Sequence, residues 1–187
     1  MEAFGHVLGS ALGGSFLLAS GVHHGAGLAE LRSTLRTHGL MPPAIVPLLA
    51  LGILLAELGL GLLLALDLLV PGGGRGGDAA VALAVLLFLG YGGYSWLLIW
   101  RSPGQLCGCL GSTRPATAWT PIRAVLVSML TALALLGSGS ATLWNLDVPV
   151  MTGMTAAAAF AAILWKLPDA MSIPDEQTSV GGAGIEL

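Results

Sequence analysis

From Pro43 to Leu69 the chain is a nearly continuous apolar run in which Glu57 and Asp67 are the only ionisable side chains. A run of that length crosses a hydrocarbon core of ~30 Å, which takes about 17–25 helical residues. Four further runs of this kind lie near 4–22, 79–100, 121–143 and 148–167. Of the 187 residues, 55% are hydrophobic and 9% charged, whereas a soluble domain carries about 25% charged residues. The expected fold is therefore an all-α polytopic membrane bundle of about five transmembrane helices, a four-helix core plus a C-terminal span. Residues 1–167 form the membrane bundle in this reading, and the acidic, glycine-rich stretch 168–187 is expected to be disordered. Membrane lipid is then the surrounding partner. A net charge of −3, without a basic patch interleaved with aromatics, argues against nucleic acid. The opening residues Met-Glu-Ala-Phe-Gly-His lack the positive region of a signal peptide, so the first span is expected to be retained.

The connections carry their own signals. Between Gly25 and Met41, Glu30, Arg32, Arg36 and His38 alternate with leucines, which predicts a short amphipathic helix at the membrane surface. Pro71 to Asp78 reads as a flexible turn; it is glycine-rich, but it has no Gly-Lys-Ser/Thr and so does not make a phosphate loop. Thr120-Pro121 is expected to open the fourth span as N-cap and first helical residue. With five spans, Arg32, Arg36, Arg101, Arg114, Arg123 and Lys166 fall on one side and Arg75 on the other. Positive charge is retained in cytoplasmic loops, so this predicts an inner-membrane protein with its N-terminus outside and its C-terminus cytoplasmic. Trp96, Trp100, Trp119 and Trp165 lie near the basic face and Trp144 near the other, as interfacial belts do.

Several motifs have plain packing readings. Gly5, Gly9 and Gly13 recur every four residues, as do Gly153, Ala157 and Ala161, and such stripes let helices approach closely. Glu57 is different, because an ionised carboxylate near mid-span costs at least ~2.5 kcal/mol. It either bridges helices as a hydrogen-bonded acid or serves a polar site as proton acceptor or substrate contact. Asp67, closer to the helix end, is expected at the interface. His23, His24 and His38 fall on the same side as the cysteines, where their plain role is interfacial polarity.

Cys107-Gly108-Cys109 holds the only two cysteines of the chain. Two extended residues span roughly 6.6–7.2 Å, slightly beyond the usual Cα separation of a disulfide, so the backbone must turn between the sulfurs. Gly108 permits that turn. A disulfide closed over one residue is readily reduced, which suits a bond that is made and broken. Arg101 and Arg114 bracket the pair and would favour the attacking thiolate. The alternatives are a structural pair or a metal site. Cys107 and Cys109 with His23 and His24 would make a tetrahedral zinc set, and Cys-x-Cys alone can hold Cu(I). No further cofactor is implied.

Cys107-Gly-Cys-Leu-Gly111 after the third span, Arg123 inside the fourth, Glu57 in Glu-Leu-Gly-Leu-Gly-Leu-Leu-Leu and Ser20-Gly21 at the exit of the first resemble the methylamine-utilisation protein MauE family, a relative of DoxX-like membrane proteins. The resemblance runs from about residue 4 to 145. Leu110 stands where an aromatic is expected, Ala124 where an asparagine is usual, and His23-His24 where a lysine is common. The resemblance implies a thiol-disulfide exchange protein that works with a thioredoxin-like partner. Its client would be an external protein with disulfides, such as the small subunit of methylamine dehydrogenase. Cys107 and Cys109 would carry the exchange, Glu57 would tune it or accept a proton, and Gly108, Gly111 and Arg123 would position the pair. An external client and a cytoplasmic cysteine loop are reconciled if that loop re-enters the bundle, where buried irregular backbone is tolerated.

Overall fold

A computed structural model describes residues 2–70, 74–102, 117–137 and 147–170. Helices α1 (Glu2–Ala26), α2 (Leu28–His38), α3 (Val46–Leu69), α4 (Gly74–Arg101), α5 (Trp119–Ala132) and α6 (Val148–Ala170) follow in order, and a 3-10 turn, Leu133–Leu136, extends α5. The fold is all-α, and five of its segments are long and apolar enough to cross a membrane: α1, α3, α4, α6 and α5 with its 3-10 turn. Exposed Leu48, Leu55, Leu62, Leu86 and Trp96 dress the outer faces of α3 and α4. Large apolar side chains on an outer surface suit a hydrocarbon solvent.

Helix α1 is the central column of the bundle. It packs most extensively against α3 and α6, and also against α5 and its 3-10 turn. Its Leu8, Leu12, Phe16 and Leu17 join Leu64 of α3, Ala84 and Phe88 of α4, Val127 of α5 and Leu164 of α6 in one core. Lipid is as apolar as these side chains, so close packing rather than the hydrophobic effect holds the helices together. The glycine stripe of α1 sets that closeness. A Cβ on Gly9 would stand 2.6 Å from the backbone nitrogen of Ala134 and 2.7 Å from the carbonyl oxygen of Thr131. Gly153 of α6 admits Val7 in the same way. Gly9→Val should therefore destabilise the bundle by ~1–3 kcal/mol or more, because backbone must move to admit it. Gly52, with nothing near its missing Cβ, is the matched site for comparison. The thermal midpoint in detergent should fall for Gly9→Val and hold for Gly52→Ala.

Helix α2 is the expected short amphipathic helix, laying Leu31 and Leu35 onto Val46 and Ala50 at the start of α3. It ends where Gly39 takes φ 64° and its N–H bonds the Arg36 carbonyl, a left-handed closure that glycine adopts without penalty. Other boundaries differ from expectation. Residues 74–78 lie in the first turns of α4 rather than in a flexible turn, because an apolar helix can carry a few glycines when packing sets its direction. Helix α5 begins at Trp119 behind Ala118, with no side-chain cap. Pro121 is then third in the helix, still within the first turn, where an N–H has no helical partner to lose. The fourth span closes at Leu136 rather than 143. Gly137 there is extended, and a Cβ on it would stand 2.5 Å from the Glu2 carbonyl oxygen of α1. Residues 168–170, expected in the tail, complete α6, and 171–187 lie outside the described residues.

A candidate functional site around Glu57

The C-terminal half of α1, α2, the N-terminal half of α3, the C-terminal half of α4 and the start of α5 meet at one end of the bundle. Glu57 is fully buried there. Its Oε1 accepts hydrogen bonds from Ser20 Oγ on α1 and Tyr91 Oη on α4, each 2.7 Å long. Its Oε2 stands 2.7 Å from His24 Nδ1. Ser20 and His24 are four residues apart on α1 and so share a face. Three donors around one carboxylate offset what an isolated charge would cost at this depth.

The cluster can hold one proton in two places. An ionised Glu57 accepts from Ser20, Tyr91 and His24 Nδ1–H, and a neutral Glu57 donates from Oε2 to the same nitrogen. Both arrangements satisfy the carboxyl group, and the proton moves along one short contact without a change of side-chain position. His24 is 7% exposed, and its other nitrogen, Nε2, has no hydrogen-bond partner among the described residues.

Beside the cluster lies a cavity of about 330 Å³. Its exposed surface is largely apolar, supplied above all by leucine, phenylalanine, isoleucine and valine, and polar residues are set into it: Ser20, His24, Glu57 and Tyr91, then Thr34, His38, Tyr94, Ser95, Thr120 and Arg123. His38 Nδ1 lies 2.6 Å from Tyr94 Oη, one turn beyond Tyr91. That is the general form of a small-molecule site: a concave apolar wall with a few convergent polar atoms.

Of the residues read from sequence, the structure brings together Glu57, His24 and Arg123 around this cavity. His24 and His38 are buried and hydrogen-bonded rather than interfacial, because each finds a polar partner on a neighbouring helix. His23 is exposed, on another face of α1 from His24, with ring centroids 6.0 Å apart. No group of three or more possible metal ligands occurs among the described residues. Cys107, Gly108, Cys109 and Gly111 lie outside them, as does Trp144. Asp67, expected at the interface, is buried with its Oδ2 3.2 Å from His6 Nε2, near enough for an ion pair but not aligned as a hydrogen bond. Gly77 leaves the room that carboxylate fills. Sequence reasoning missed Tyr91 and Ser20 as partners of Glu57. The signal present was positional: Ser20 and His24 repeat at helical spacing, and Tyr91, Tyr94 and Ser95 stand on one side of an otherwise apolar helix.

No curated protein and no solved structure matches the chain. The model of the family described as methylamine utilisation protein MauE matches residues 1–138. That stretch contains Glu57, all of its hydrogen-bond partners, Arg123 and both cysteines, so the site and the family coincide on the same residues, and the chain belongs to the methylamine utilisation protein MauE family.

Proposed function

We propose that this multi-pass membrane protein of methylamine utilisation is a thiol-disulfide exchange protein in which Cys107 and Cys109 cycle between dithiol and disulfide. It supports disulfide formation in an external client such as the small subunit of methylamine dehydrogenase, with a thioredoxin-like partner. One observation carries the reading. The chain's two cysteines lie in the connection between α4 and α5, and the described residues on both flanks of that connection, Tyr94 and Ser95 before it and Thr120 and Arg123 after it, wall the cavity that holds the Glu57–His24 pair. Thiol chemistry needs a proton acceptor when a thiolate forms and a donor when one leaves. Glu57 and His24 form such a proton-exchanging pair, and Gly108, Gly111 and Arg123 position the thiols. His23 faces away from His24, which counts against a zinc set built on both imidazoles.

The distribution of basic residues supports an orientation with the N-terminus outside and the C-terminus in the cytoplasm. An external client then requires the thiols to be reached across the bundle. Alkylation in right-side-out and inverted vesicles, before and after mild reductant, tests both points. A small permeant reagent should label Cys107 and Cys109 only after reduction, in both preparations. A bulky impermeant reagent should label poorly from outside and partly from inside. Rapid impermeant labelling from outside would overturn the orientation. Stoichiometric metal with no reducible disulfide would replace the exchange reading by a metal site.

A further inference from the structure

We propose that the cavity binds a lipid-soluble quinone, with the His24 imidazole as its polar contact, and that this quinone is the oxidant that restores the disulfide. The second half rests on the exchange reading above; the binding site does not.

The first support is a hydrogen-bonding group without its partner. His24 is part of the cavity wall, its Nδ1 is committed to Glu57, and its buried Nε2 has no partner among the described residues. Buried polar atoms are almost always paired, so an orphan nitrogen on a side chain that lines a cavity points to a ligand atom that reaches it once the ring turns slightly toward the cavity. The second support is the remainder of the wall. Leu17, Ile53, Phe88 and Val127 offer nothing polar, which suits a molecule that is hydrocarbon except for a few oxygen atoms. A plain hydrocarbon tail would leave Nε2 unpaired, and a water-soluble acceptor would leave the apolar wall unmatched; a fatty acid could satisfy both but could not take up electrons. A quinone carbonyl oxygen accepts the Nε2–H while its ring and tail lie against the leucine and phenylalanine side. A volume of about 330 Å³ falls in the range of small-molecule sites.

The third support is electron balance. Closing the Cys107–Cys109 disulfide breaks two S–H bonds, forms one S–S bond and releases two electrons and two protons. A quinone takes up two electrons and two protons to become the quinol, so the two half-reactions close with nothing left over. The Glu57–His24 pair stores one of those protons beside the carbonyl that receives it. A carrier that arrives and leaves through lipid also needs no aqueous route into the bundle.

The test uses the full chain in lipid nanodiscs with decylubiquinone as the probe. Binding is measured by titration calorimetry on the oxidised protein. Turnover is read anaerobically as loss of quinone absorbance after mixing with dithiol protein freed of reductant. Saturable binding and one quinol per chain are expected. His24→Leu should weaken binding about tenfold, and Ala124→Trp, which fills the α5 side of the cavity, should lower binding and quinol formation at least tenfold while eluting as the native protein on gel filtration. Absence of saturable binding, or binding indifferent to both substitutions, overturns the site. Binding that Ala124→Trp removes, but with no quinol formed, overturns quinone as the oxidant. The alkylation test reads thiol state and metal content rather than quinone binding, so the exchange reading stands or falls separately.

Discussion

Serine at Cys107, at Cys109 or at both is expected to reduce client disulfide formation to background while the protein stays in the membrane at its usual level. The chain has no third cysteine to substitute, and disulfide exchange proceeds through a mixed disulfide that the second thiol must resolve. One of the single variants should therefore do more than fail. The remaining thiol attacks its partner and cannot be displaced, so a disulfide-linked complex with the thioredoxin-like protein should accumulate for one of the two variants and identify the attacking cysteine. Non-reducing electrophoresis of membranes from cells expressing each variant reads both results. Full client oxidation with the double serine variant would dismiss the exchange chemistry.

Glu57 gives the second large effect, and two substitutions separate its structural and chemical parts. Glu57→Leu removes the acceptor of Ser20 Oγ, Tyr91 Oη and the His24 ring together. Each buried donor left unpaired costs about 1–3 kcal/mol, so the loss at Ser20 and His24 alone amounts to several kcal/mol. Glu57→Gln keeps the arrangement: the amide oxygen accepts from Ser20 and Tyr91, and the amide nitrogen donates to His24 Nδ1. Its thermal midpoint should stay close to that of the unaltered protein. An amide cannot take up the proton, however, and lost general acid-base help lowers rates by about 10²–10⁴. A Gln variant as stable as the parent but about a hundredfold slower in exchange is the expected outcome. Unaltered rates in that variant over roughly pH 6 to 9 would confine Glu57 to packing.

The five spans and the short amphipathic helix could be read from composition and spacing because hydrocarbon leaves a helix few ways to satisfy its backbone. A close approach along the Gly5, Gly9 and Gly13 stripe was also legible, though not that α5 and its 3-10 turn would make it. What the sequence could not disclose was which helix face meets which neighbour. Glu57 was conspicuous as an acid in an apolar run, yet its partners come from α1 and α4, more than thirty residues away in either direction. No periodicity within one helix reports such pairings. The same limit misplaced Asp67. Its position near a helix end suggested water, but His6 of α1 lies opposite and draws it inward. His24 was read through its neighbour His23, although residues adjacent in a helix point about 100° apart and need share nothing.

The central position of α1 bears on how the protein is made. Its His6, Ser10, Ser20 and His24 are all buried, and they lie along one stripe of the helix. In its most apolar window 61% of the residues are covered by the rest of the bundle, against 22% for α3. Spans enter a bilayer singly and pack afterwards, so α1 reaches lipid with two imidazoles and two hydroxyls unshielded, before Glu57 and Asp67 of α3, the partners of His6, Ser20 and His24, have been synthesised. Helix α1 precedes α3 in the chain, so the helix with the most covered face waits for partners that are delivered after it. Assembly therefore has to hold α1 near the point of insertion until α3 arrives with Glu57 and Asp67.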